Sequence, residues 1–246
     1  MARAKNDVVF VRPVVWVIGA SQGIGREIAL QFSTIGCHVC VSSRTASRLR
    51  VLCQEIEDLG GAASAYPCDI TQHRDVVKTS RAIERNHRRI DAMILVAGIT
   101  SFQSFARTPR EDLRAILATN LSGPVDCFSA VLPGMIRRRK GWIASVLSTA
   151  AISTFRGSSA YSAAKAGLLA FTRVVREEVR QHNIRVVDVL PGPTATTMWP
   201  RQVLKRRGKA MMSPRSVAEA LLEIFRLPDD VVVEELVLRP PMGDVN

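Results

Sequence analysis

The sequence predicts an α/β protein built on a single doubly wound parallel β-sheet with helices on both faces. Short valine-rich runs alternate along the chain with longer segments of helical periodicity, a pattern typical of βαβ units. Most of these runs are continuously apolar, as expected for strands that are buried on both faces. With 246 residues, 47% of them apolar, the chain is long enough for one such domain, which we expect to cover residues 1–246.

Seven strands and six helices follow from this alternation. Each strand is a short run of mostly apolar residues, and each helix carries apolar residues three or four positions apart. The predicted strands are residues 14–18, 38–42, 63–67, 91–96, 142–147, 185–190 and 235–238. The predicted helices are residues 25–35, 47–59, 74–86, 110–138, 160–181 and 216–227. Right-handed crossovers then give a doubly wound sheet, with a ligand site outside the carboxyl ends of its strands.

The chain is strongly basic, because 34 Lys and Arg residues against 22 Asp and Glu residues give a net charge of +12. This charge either attracts anionic partners or forms a solvated surface, and we prefer the second interpretation. The basic clusters at residues 85–89, 137–140 and 201–209 are not interleaved with aromatic residues that could stack on bases. We therefore do not expect a nucleic-acid partner.

The amino terminus has early positive charge followed by valines, so a signal peptide has to be considered. Arg12 and Pro13 interrupt the apolar stretch, and no small-residue cleavage site follows it. No apolar run reaches the roughly 18 residues that a membrane helix needs. We therefore expect a cytoplasmic protein with no membrane partner, in which residues 1–12 form an extension.

The cysteine pattern predicts neither disulfides nor a metal site. Five cysteines are an odd number, and no secretory signal accompanies them. Cys37 and Cys40 form a CxxC pattern, but they lie on a predicted strand. Residues three apart on a strand point to opposite faces, so these two thiols cannot bind one ion together. We expect buried free thiols.

A glycine-rich turn lies between the first predicted strand and the first predicted helix. Glycines there allow a tight turn and a close approach of backbone to a diphosphate, and the helix amino terminus behind them attracts an anion. The alternative is a tight turn without a ligand, but the strand–turn–helix context favours dinucleotide binding. The expected cofactor-binding residues of this turn are Gly19, Ser21, Gln22, Gly23, Ile24 and Gly25.

The residue after the second strand predicts a preference for NADP(H) over NAD(H). A cofactor with a free ribose 2′-hydroxyl usually meets an acidic residue about 20 positions beyond the turn. This chain has Arg44 there, and a guanidinium suits a 2′-phosphate. Ser21 and Ser43 are candidates for additional hydrogen bonds to that phosphate. The alternative is that Arg44 is an ordinary surface arginine.

Tyr161 and Lys165 form the candidate catalytic pair. They are four residues apart on a predicted helix and therefore share a face. An ammonium beside a phenol favours the phenolate, so we expect Lys165 to lower the pKa of Tyr161. A phenol tuned in this way exchanges a proton with a carbonyl or an alcohol near neutral pH. Taken alone, the pair could also be an accident of an amphipathic helix.

Further residues in the same order strengthen this interpretation. Asn120 lies in the long preceding helix, Ser148 ends a strand, and a Pro-Gly turn starts at Pro191. Together with the glycine turn and the Tyr161 motif, these residues resemble short-chain dehydrogenases/reductases, which have a Rossmann fold. The resemblance covers nearly the whole chain and includes 3-oxoacyl-carrier-protein reductases and carbonyl reductases.

The resemblance implies a role for each residue of the tetrad. Tyr161 would be the general acid in reduction and the base in oxidation, and Lys165 would lower its pKa and hold the nicotinamide ribose. Ser148 would bind the substrate oxygen. Asn120 would anchor a water that relays protons through Lys165. Tyr161 and Lys165 thus count among the cofactor-binding residues as well.

The resemblance also implies further cofactor contacts. The turn after the sixth strand would hold the nicotinamide carboxamide, the pair after the third strand would bracket the adenine, and the Ala-Gly after the fourth strand would line the cleft. In that order these residues are Pro191, Gly192, Thr194 and Thr196, then Asp69 and Ile70, then Ala97 and Gly98. One departure is that Leu95 and Val96 replace the family's usual Asn-Asn, which puts cofactor affinity or sheet rigidity in doubt.

Two functions are compatible with the sequence. The first is an NADP(H)-dependent oxidoreductase that interconverts a ketone and a secondary alcohol, on a small molecule or on a 3-oxoacyl group bound to a carrier protein. Residues 198–212 would form its substrate lid, Arg139 and His182 match basic positions that such reductases have near the entrance, and the long helices would pair copies into a dimer or tetramer. The alternative is a non-catalytic NADP-binding sensor or regulator.

Overall fold

A computed structural model describes residues 12–243, so most of the expected extension 1–12 lies outside the described residues. Seven parallel strands form one sheet in the order β3-β2-β1-β4-β5-β6-β7. This is the predicted doubly wound sheet. Its strands are β1 Val14–Ile18, β2 His38–Ser42, β3 Ala62–Ala65, β4 Ala92–Leu95, β5 Gly141–Val146, β6 Ile184–Pro191 and β7 Glu235–Leu238.

The described part of the chain also forms eight α-helices. They are α1 Gly23–Thr34, α2 Ala46–Asp58, α3 His73–His87, α4 Arg110–Leu117, α5 Gly123–Arg138, α6 Ser159–Arg180, α7 Arg201–Arg207 and α8 Pro214–Phe225. The predicted helix 110–138 contains a π-helical turn, Ala118–Ser122, between α4 and α5. The short helix α7 was not predicted, because its basic sequence has no apolar stripe.

The strand order reverses direction between β1 and β4, which places a crevice at their carboxyl ends. Backbone N–H groups of Val96 and Ala97 both donate to the Ile18 carbonyl, at 2.9 and 3.0 Å. The chain segments that follow β1 and β4 are therefore held side by side. This crevice is where the glycine-rich turn and the predicted catalytic residues meet.

The hydrophobic core has two layers, one on each face of the sheet. One layer includes Phe32 and Cys37, and the other includes Trp16, Cys40 and Phe128. Cys37 and Cys40 thus lie on opposite faces, as predicted from their spacing. All five cysteines are free and buried, which confirms the expectation of buried thiols.

The helix that carries the candidate catalytic pair is fixed to β6 by a buried polar network. Asp188 Oδ2 accepts hydrogen bonds from Thr172 Oγ1 at 2.8 Å and from Arg176 Nη2 at 2.6 Å. Arg176 Nε also donates to the Val186 carbonyl at 2.9 Å. Burial raises the pKa of Asp188 to about 7 although Thr172 and Arg176 oppose that shift. The network locks α6 in register with the sheet.

The continuous helical stretch Arg110–Arg138 is long and apolar enough to cross a membrane by length and composition alone, with a mean hydropathy of 1.3 over its most apolar window. Its side chains explain this property without a membrane. Cys127, Phe128, Val131 and Met135 pack into the core beneath the sheet. The stretch is therefore a core helix on one face.

Candidate active site

The catalytic pair lies at the start of α6, above the carboxyl end of β5. Lys165 Nζ donates a 3.0 Å hydrogen bond to the Val146 carbonyl and lies 5.7 Å from the centroid of the Tyr161 ring. Lys165 is only 3% exposed, whereas Tyr161 keeps a partly exposed edge. The two side chains share one face of the helix, as their spacing predicts.

Ser148 is the third side chain of this site and contributes a second hydroxyl group. It follows β5 in extended backbone, and its Oγ accepts a 3.1 Å hydrogen bond from the Ala150 amide. The Ser148 side chain also lies close enough to the Tyr161 hydroxyl to lower the pKa of that phenol. A substrate oxygen placed between them would therefore meet two hydroxyl groups at once.

Asn120 reaches the site because the π-helical turn rotates it inward. Its Nδ2 donates to the carbonyls of Ile99 and Ile116, at 2.8 and 2.9 Å. Its Oδ1 is buried and has no hydrogen-bond partner among residues 12–243. A Cβ on Gly98 would lie 2.7 Å from that oxygen and 3.8 Å from Lys165 Nζ. The absent side chain of Gly98 thus leaves polar space between Asn120 and Lys165, of the kind a water molecule fills.

The protonation of the catalytic pair differs from the sequence-based expectation. Burial raises the pKa of Tyr161 to about 12, and the hydrogen bond from Ser148 opposes this only in part. Burial also lowers the pKa of Lys165 to about 8. The expected lowering of the Tyr161 pKa by Lys165 is therefore not found in the chain alone. At neutral pH Tyr161 is protonated, which is the form that a general acid requires.

The glycine-rich turn has the shape that a diphosphate requires. Gly19 adopts φ +94°, and a Cβ there would lie 2.5 Å from the Ala97 amide nitrogen. A Cβ on Gly25 would lie 2.3 Å from the Gly19 carbonyl oxygen. Behind the turn, α1 has no side-chain cap on its first amides and no acidic residue in its first turn. Those amides remain available to an anion.

The other residues of the turn occupy different environments. Gly23 adopts φ +57° and faces Thr196, whose Cγ2 would lie 3.3 Å from a Cβ at that position. Ile24 packs against the core, and Ser21 is partly exposed beside the crevice. Gln22 Oε1 accepts a 2.9 Å hydrogen bond from Arg48 Nη1. The turn after β6, which contains Thr196, therefore closes over the turn after β1.

Two arginines lie beside this turn, and only one was predicted. Arg44 is exposed and makes no hydrogen bond or ion pair with any residue in the described range 12–243. The bond from Arg48 to Gln22 brings a second guanidinium to the same edge. Sequence reasoning missed Arg48 because nothing local links it to a residue 26 positions away. Ser43 Oγ accepts a 3.3 Å hydrogen bond from the Thr45 amide and lies next to Arg44.

Asp69 and Ile70, which follow β3, make contacts with other residues of the protein. Asp69 Oδ1 accepts hydrogen bonds from the amide and the hydroxyl of Thr71, at 3.0 and 2.8 Å. Ile70 is buried against Gly123, where a Cβ would lie 2.2 Å from Ile70 Cγ1. Both residues thus shape the wall of the crevice through local packing.

The turn after β6 connects the sheet to the expected lid. The Gly192 amide donates to the Leu238 carbonyl at 2.8 Å, and Thr194 Oγ1 donates to the Gly192 carbonyl at 3.0 Å. A single β-bridge joins Thr194 to Met212. Both ends of the segment 198–212 are therefore fixed to the turn that begins at Pro191, and the helix α7 spans the space between them.

A domain model described as "short chain dehydrogenase" matches residues 13–207, which is most of the sequence. The chain belongs to the short-chain dehydrogenase family. It is therefore an oxidoreductase that acts on CH–OH groups. The seven-stranded sheet and the order of the site residues agree with this membership.

Individual relatives cover between 74% and 96% of this short-chain dehydrogenase. A sepiapterin reductase from Chlorobaculum tepidum is 31% identical over 243 residues, 96% of this chain and 99% of the relative. A 3-oxoacyl-[acyl-carrier-protein] reductase from Bos taurus is 36% identical over 182 residues, 74% of this chain and 76% of the relative. A metagenomic short-chain oxidoreductase solved in complex with NADP superposes with a TM-score of 0.83 at 28% identity, covering 94% of this chain and 98% of that one.

The departure at Leu95 and Val96 is accommodated within the core of this short-chain dehydrogenase. Leu95 is buried in the layer that includes Trp16, and Val96 packs against the opposite layer. The backbone bonds to Ile18 remain, so β1 and β4 are joined without asparagine side chains. The loss of polar groups is thus compensated by apolar packing on both faces.

Arg139 and His182, the two basic residues expected near the substrate entrance, lie close to each other but far from the catalytic pair. Arg139 follows α5 in a left-handed conformation, and its Nη2 donates to the Gln181 carbonyl at 2.9 Å, next to His182. His182 is 21 positions beyond Tyr161, about 30 Å along a helix. Within one short-chain dehydrogenase subunit these two residues therefore do not border the catalytic pair.

Proposed function

We propose that this short-chain dehydrogenase interconverts a ketone and a secondary alcohol with NADP(H), using Tyr161 as general acid and base. The observation that carries the proposal is the convergence of four side chains at one point. Ser148 lies close enough to Tyr161 to lower its pKa, and Lys165 Nζ lies 5.7 Å from the centroid of the Tyr161 ring. Lys165 Nζ and Asn120 Oδ1, which has no hydrogen-bond partner among residues 12–243, face the same space at Gly98. A non-catalytic sensor has no need of such a set, so we prefer the enzymatic proposal.

Each of these residues has a task that follows from its geometry. The nicotinamide supplies the hydride in reduction and accepts it in oxidation. Ser148 donates a hydrogen bond to the substrate oxygen and holds it at the Tyr161 hydroxyl. Tyr161 gives its proton to that oxygen as the carbonyl becomes an alkoxide. A water held by Asn120 and Lys165 returns a proton from solvent, and the lysine ammonium stabilises the transient phenolate.

The pH dependence of reduction follows from the two pKa values. Below about pH 8 Lys165 carries its charge, and Tyr161 stays protonated until about pH 12. We expect kcat/KM for reduction to be constant near neutral pH and to fall as the pH rises through about 8, because the ammonium that stabilises the phenolate is lost. Steady-state rates between about pH 6 and about pH 10 measure this. A profile that stays flat to the upper limit would contradict the role of Lys165.

The cofactor proposal is NADP(H) in preference to NAD(H). Arg44 offers an exposed guanidinium without a protein partner, and Arg48 offers a second one at the same edge of the glycine turn. A phosphate dianion on the ribose would satisfy both groups, whereas a hydroxyl would not. The related oxidoreductase that binds NADP supports the same preference.

The substrate proposal is a small apolar carbonyl compound or its alcohol. Trp199 of the lid stacks on Phe102, with 4.8 Å between ring centroids and 11° between planes. The lid segment itself contains a groove lined by Trp199, Gln202, Val203, Arg206, Arg207 and Met211. These aromatic and apolar surfaces suit an apolar substrate body, and the cations suit an acidic end. A 3-oxoacyl group on a carrier protein, the substrate class named for the bovine relative, is a member of this class.

We also propose a homo-oligomer, a dimer or a tetramer, in the cytoplasm. Leu117, Leu121 and Leu132 of the helical stretch Arg110–Arg138 are only partly buried, and Val174 on α6 is 59% exposed. Pairing these helices between copies would cover that surface. The five free thiols suit a reducing compartment.

A substrate panel tests the proposed function. Purified protein with NADPH is offered aromatic and aliphatic ketones and 3-oxoacyl thioesters, and with NADP⁺ it is offered secondary alcohols and hydroxy acids. We expect NADPH consumption with apolar ketones, followed by its absorbance, and slower turnover with NADH. Control reactions omit the protein or the carbonyl compound. Tight NADPH binding with no turnover across the panel would favour the sensor instead.

A further inference from the structure

A cluster of two histidines and one cysteine lies at the opposite end of β2 from the cofactor crevice. His38 is the first residue of β2, Cys40 follows on the same face, and His87 is the last residue of α3. One potential ligand atom from each of these residues lies within 4.8 Å of the others. Cys37, the other thiol of the CxxC pattern, points to the opposite face of the sheet as predicted, and the fold places Cys40 beside two histidines instead.

We propose that His38, Cys40 and His87 bind a divalent transition-metal ion of the zinc type. Two imidazole nitrogens and a thiolate are the donors that Zn²⁺ and its borderline-soft neighbours prefer. Tetrahedral zinc with bonds of about 2.0 Å to nitrogen and 2.3 Å to sulfur sets two nitrogens and one sulfur roughly 3.3–3.5 Å apart. The three donors, which lie within 4.8 Å of one another, therefore need to close by up to about 1.5 Å, a distance within the range of side-chain rotation.

Neighbouring hydroxyl groups hold both imidazole rings in place. His38 Nε2 is hydrogen-bonded to Ser64 Oγ at 2.9 Å, and His87 Nε2 to the Tyr66 hydroxyl at 3.0 Å. Asn86 Nδ2 in turn donates to that hydroxyl at 3.1 Å. Such partners fix the orientation of metal-binding histidines in known sites. Within residues 12–243, neither ring has a hydrogen-bond partner at Nδ1, which leaves a second nitrogen for the ion.

His38 and His87 are already in the protonation state that binds a metal ion, whereas Cys40 has to lose its proton. Burial, followed by the neighbouring His87 and Arg12, lowers the pKa of His38 to about 4. Burial also lowers the pKa of His87, so both rings are neutral at pH 7, the form that binds metals. Burial raises the pKa of the Cys40 thiol, so the incoming ion has to displace its proton, as zinc does in thiolate sites.

The position of the cluster indicates a structural ion rather than a catalytic one. His38 is about 13 Å along the strand from Ser42, beyond which the cofactor crevice begins. His87 is partly exposed and gives the ion a path from solvent and a fourth ligand from water. Arg88 follows in a left-handed conformation at φ 71°, where the chain leaves α3. The ion would therefore fasten the end of α3 to the sheet.

Metal binding by the full chain tests this site. Protein stripped with a chelator is titrated with ZnSO₄ in a calorimeter and with CoCl₂ in a spectrophotometer. We expect one ion per chain, a thiolate-to-cobalt charge-transfer band, and a Tm about 5–10 °C higher at a Zn²⁺ concentration 100 times Kd. His87→Gln should weaken Zn²⁺ binding at least tenfold, and Cys40→Ser should abolish the cobalt band.

Two matched variants serve as controls. His182→Gln removes an imidazole elsewhere on the surface, and Cys37→Ser removes the other thiol of the CxxC pattern. Both are expected to keep the cobalt band and the affinity for Zn²⁺, and circular dichroism checks the fold of all four variants. A cobalt band that persists in Cys40→Ser, or an affinity that is unchanged in His87→Gln, would overturn the proposal. So would the absence of stoichiometric binding by the unaltered chain.

Discussion

Replacement of Tyr161 by phenylalanine is expected to lower kcat/KM for ketone reduction by about 10²–10⁴-fold while leaving the Kd for NADPH within about twofold. The ring that packs beside Lys165 remains, so the cleft keeps its shape. The change removes only the hydroxyl that bonds to Ser148 and gives its proton to the substrate oxygen. Steady-state rates and NADPH fluorescence measure the two quantities.

The chain offers a matched control for this variant, because it contains only one other tyrosine. Tyr66 contacts His87 and Asn86 at the far side of the sheet. Tyr66→Phe therefore removes the same atom at a place remote from the chemistry, and activity should stay within about twofold. Turnover of Tyr161→Phe within tenfold of the unaltered protein would mean that another acid protonates the substrate.

The fold was predictable because strands that are buried on both faces are apolar at nearly every position. Val14–Ile18 is apolar at every position, which is what a strand covered on both faces requires. The π-helical turn at Ala118–Ser122 has no comparable pattern in the sequence. A π-helical turn preserves helical dihedral angles and is selected by the tertiary hydrogen bonds of Asn120, so helical periodicity alone does not predict it. Helix α7 was missed because its contacts, not its pattern, support it.

Contacts of the site were predictable where the residues are close in sequence. They were not predictable where the residues come from distant segments. Tyr161 and Lys165 share a helix, so their proximity follows from spacing. The contact of Arg48 with Gln22 and that of Phe102 with Trp199 join distant segments, and the sequence holds no local sign of either. The same is true of His87, which joins the pair on β2 only after α3 has packed.

The direction of the Tyr161 pKa was predicted wrongly for the chain alone, and the reason is physical. The prediction considered the attraction between an ammonium and a phenolate, which lowers the pKa of the phenol. It left open how far burial would reduce that effect. In the structure Lys165 Nζ bonds to the Val146 carbonyl, and burial raises the pKa of Tyr161 with only Ser148 opposing the shift. The consequence favours reduction, because a protonated phenol is ready to donate at neutral pH.

Replacement of Arg44 by aspartate is expected to shift the preference between NADPH and NADH toward NADH by at least about 100-fold in kcat/KM. A guanidinium–phosphate hydrogen bond contributes about 1.5–3 kcal/mol, and the new carboxylate repels the 2′-phosphate while it can accept hydrogen bonds from a free ribose. Most of the change is expected as weaker binding of NADPH. Kinetics with both cofactors at one ketone concentration measure the ratio.

Arg50→Asp is the matched control for this variant. Arg50 is exposed and undergoes the same change of charge, but it lies within α2, whereas Arg44 directly follows the end of β2. General electrostatic attraction of a basic protein for an anionic cofactor would make the two variants equal, whereas a specific contact would separate them. An equal loss of NADPH preference in both variants would remove Arg44 from the specificity argument. A loss confined to Arg44→Asp would leave the phosphate contact as its explanation, since both variants keep Arg48.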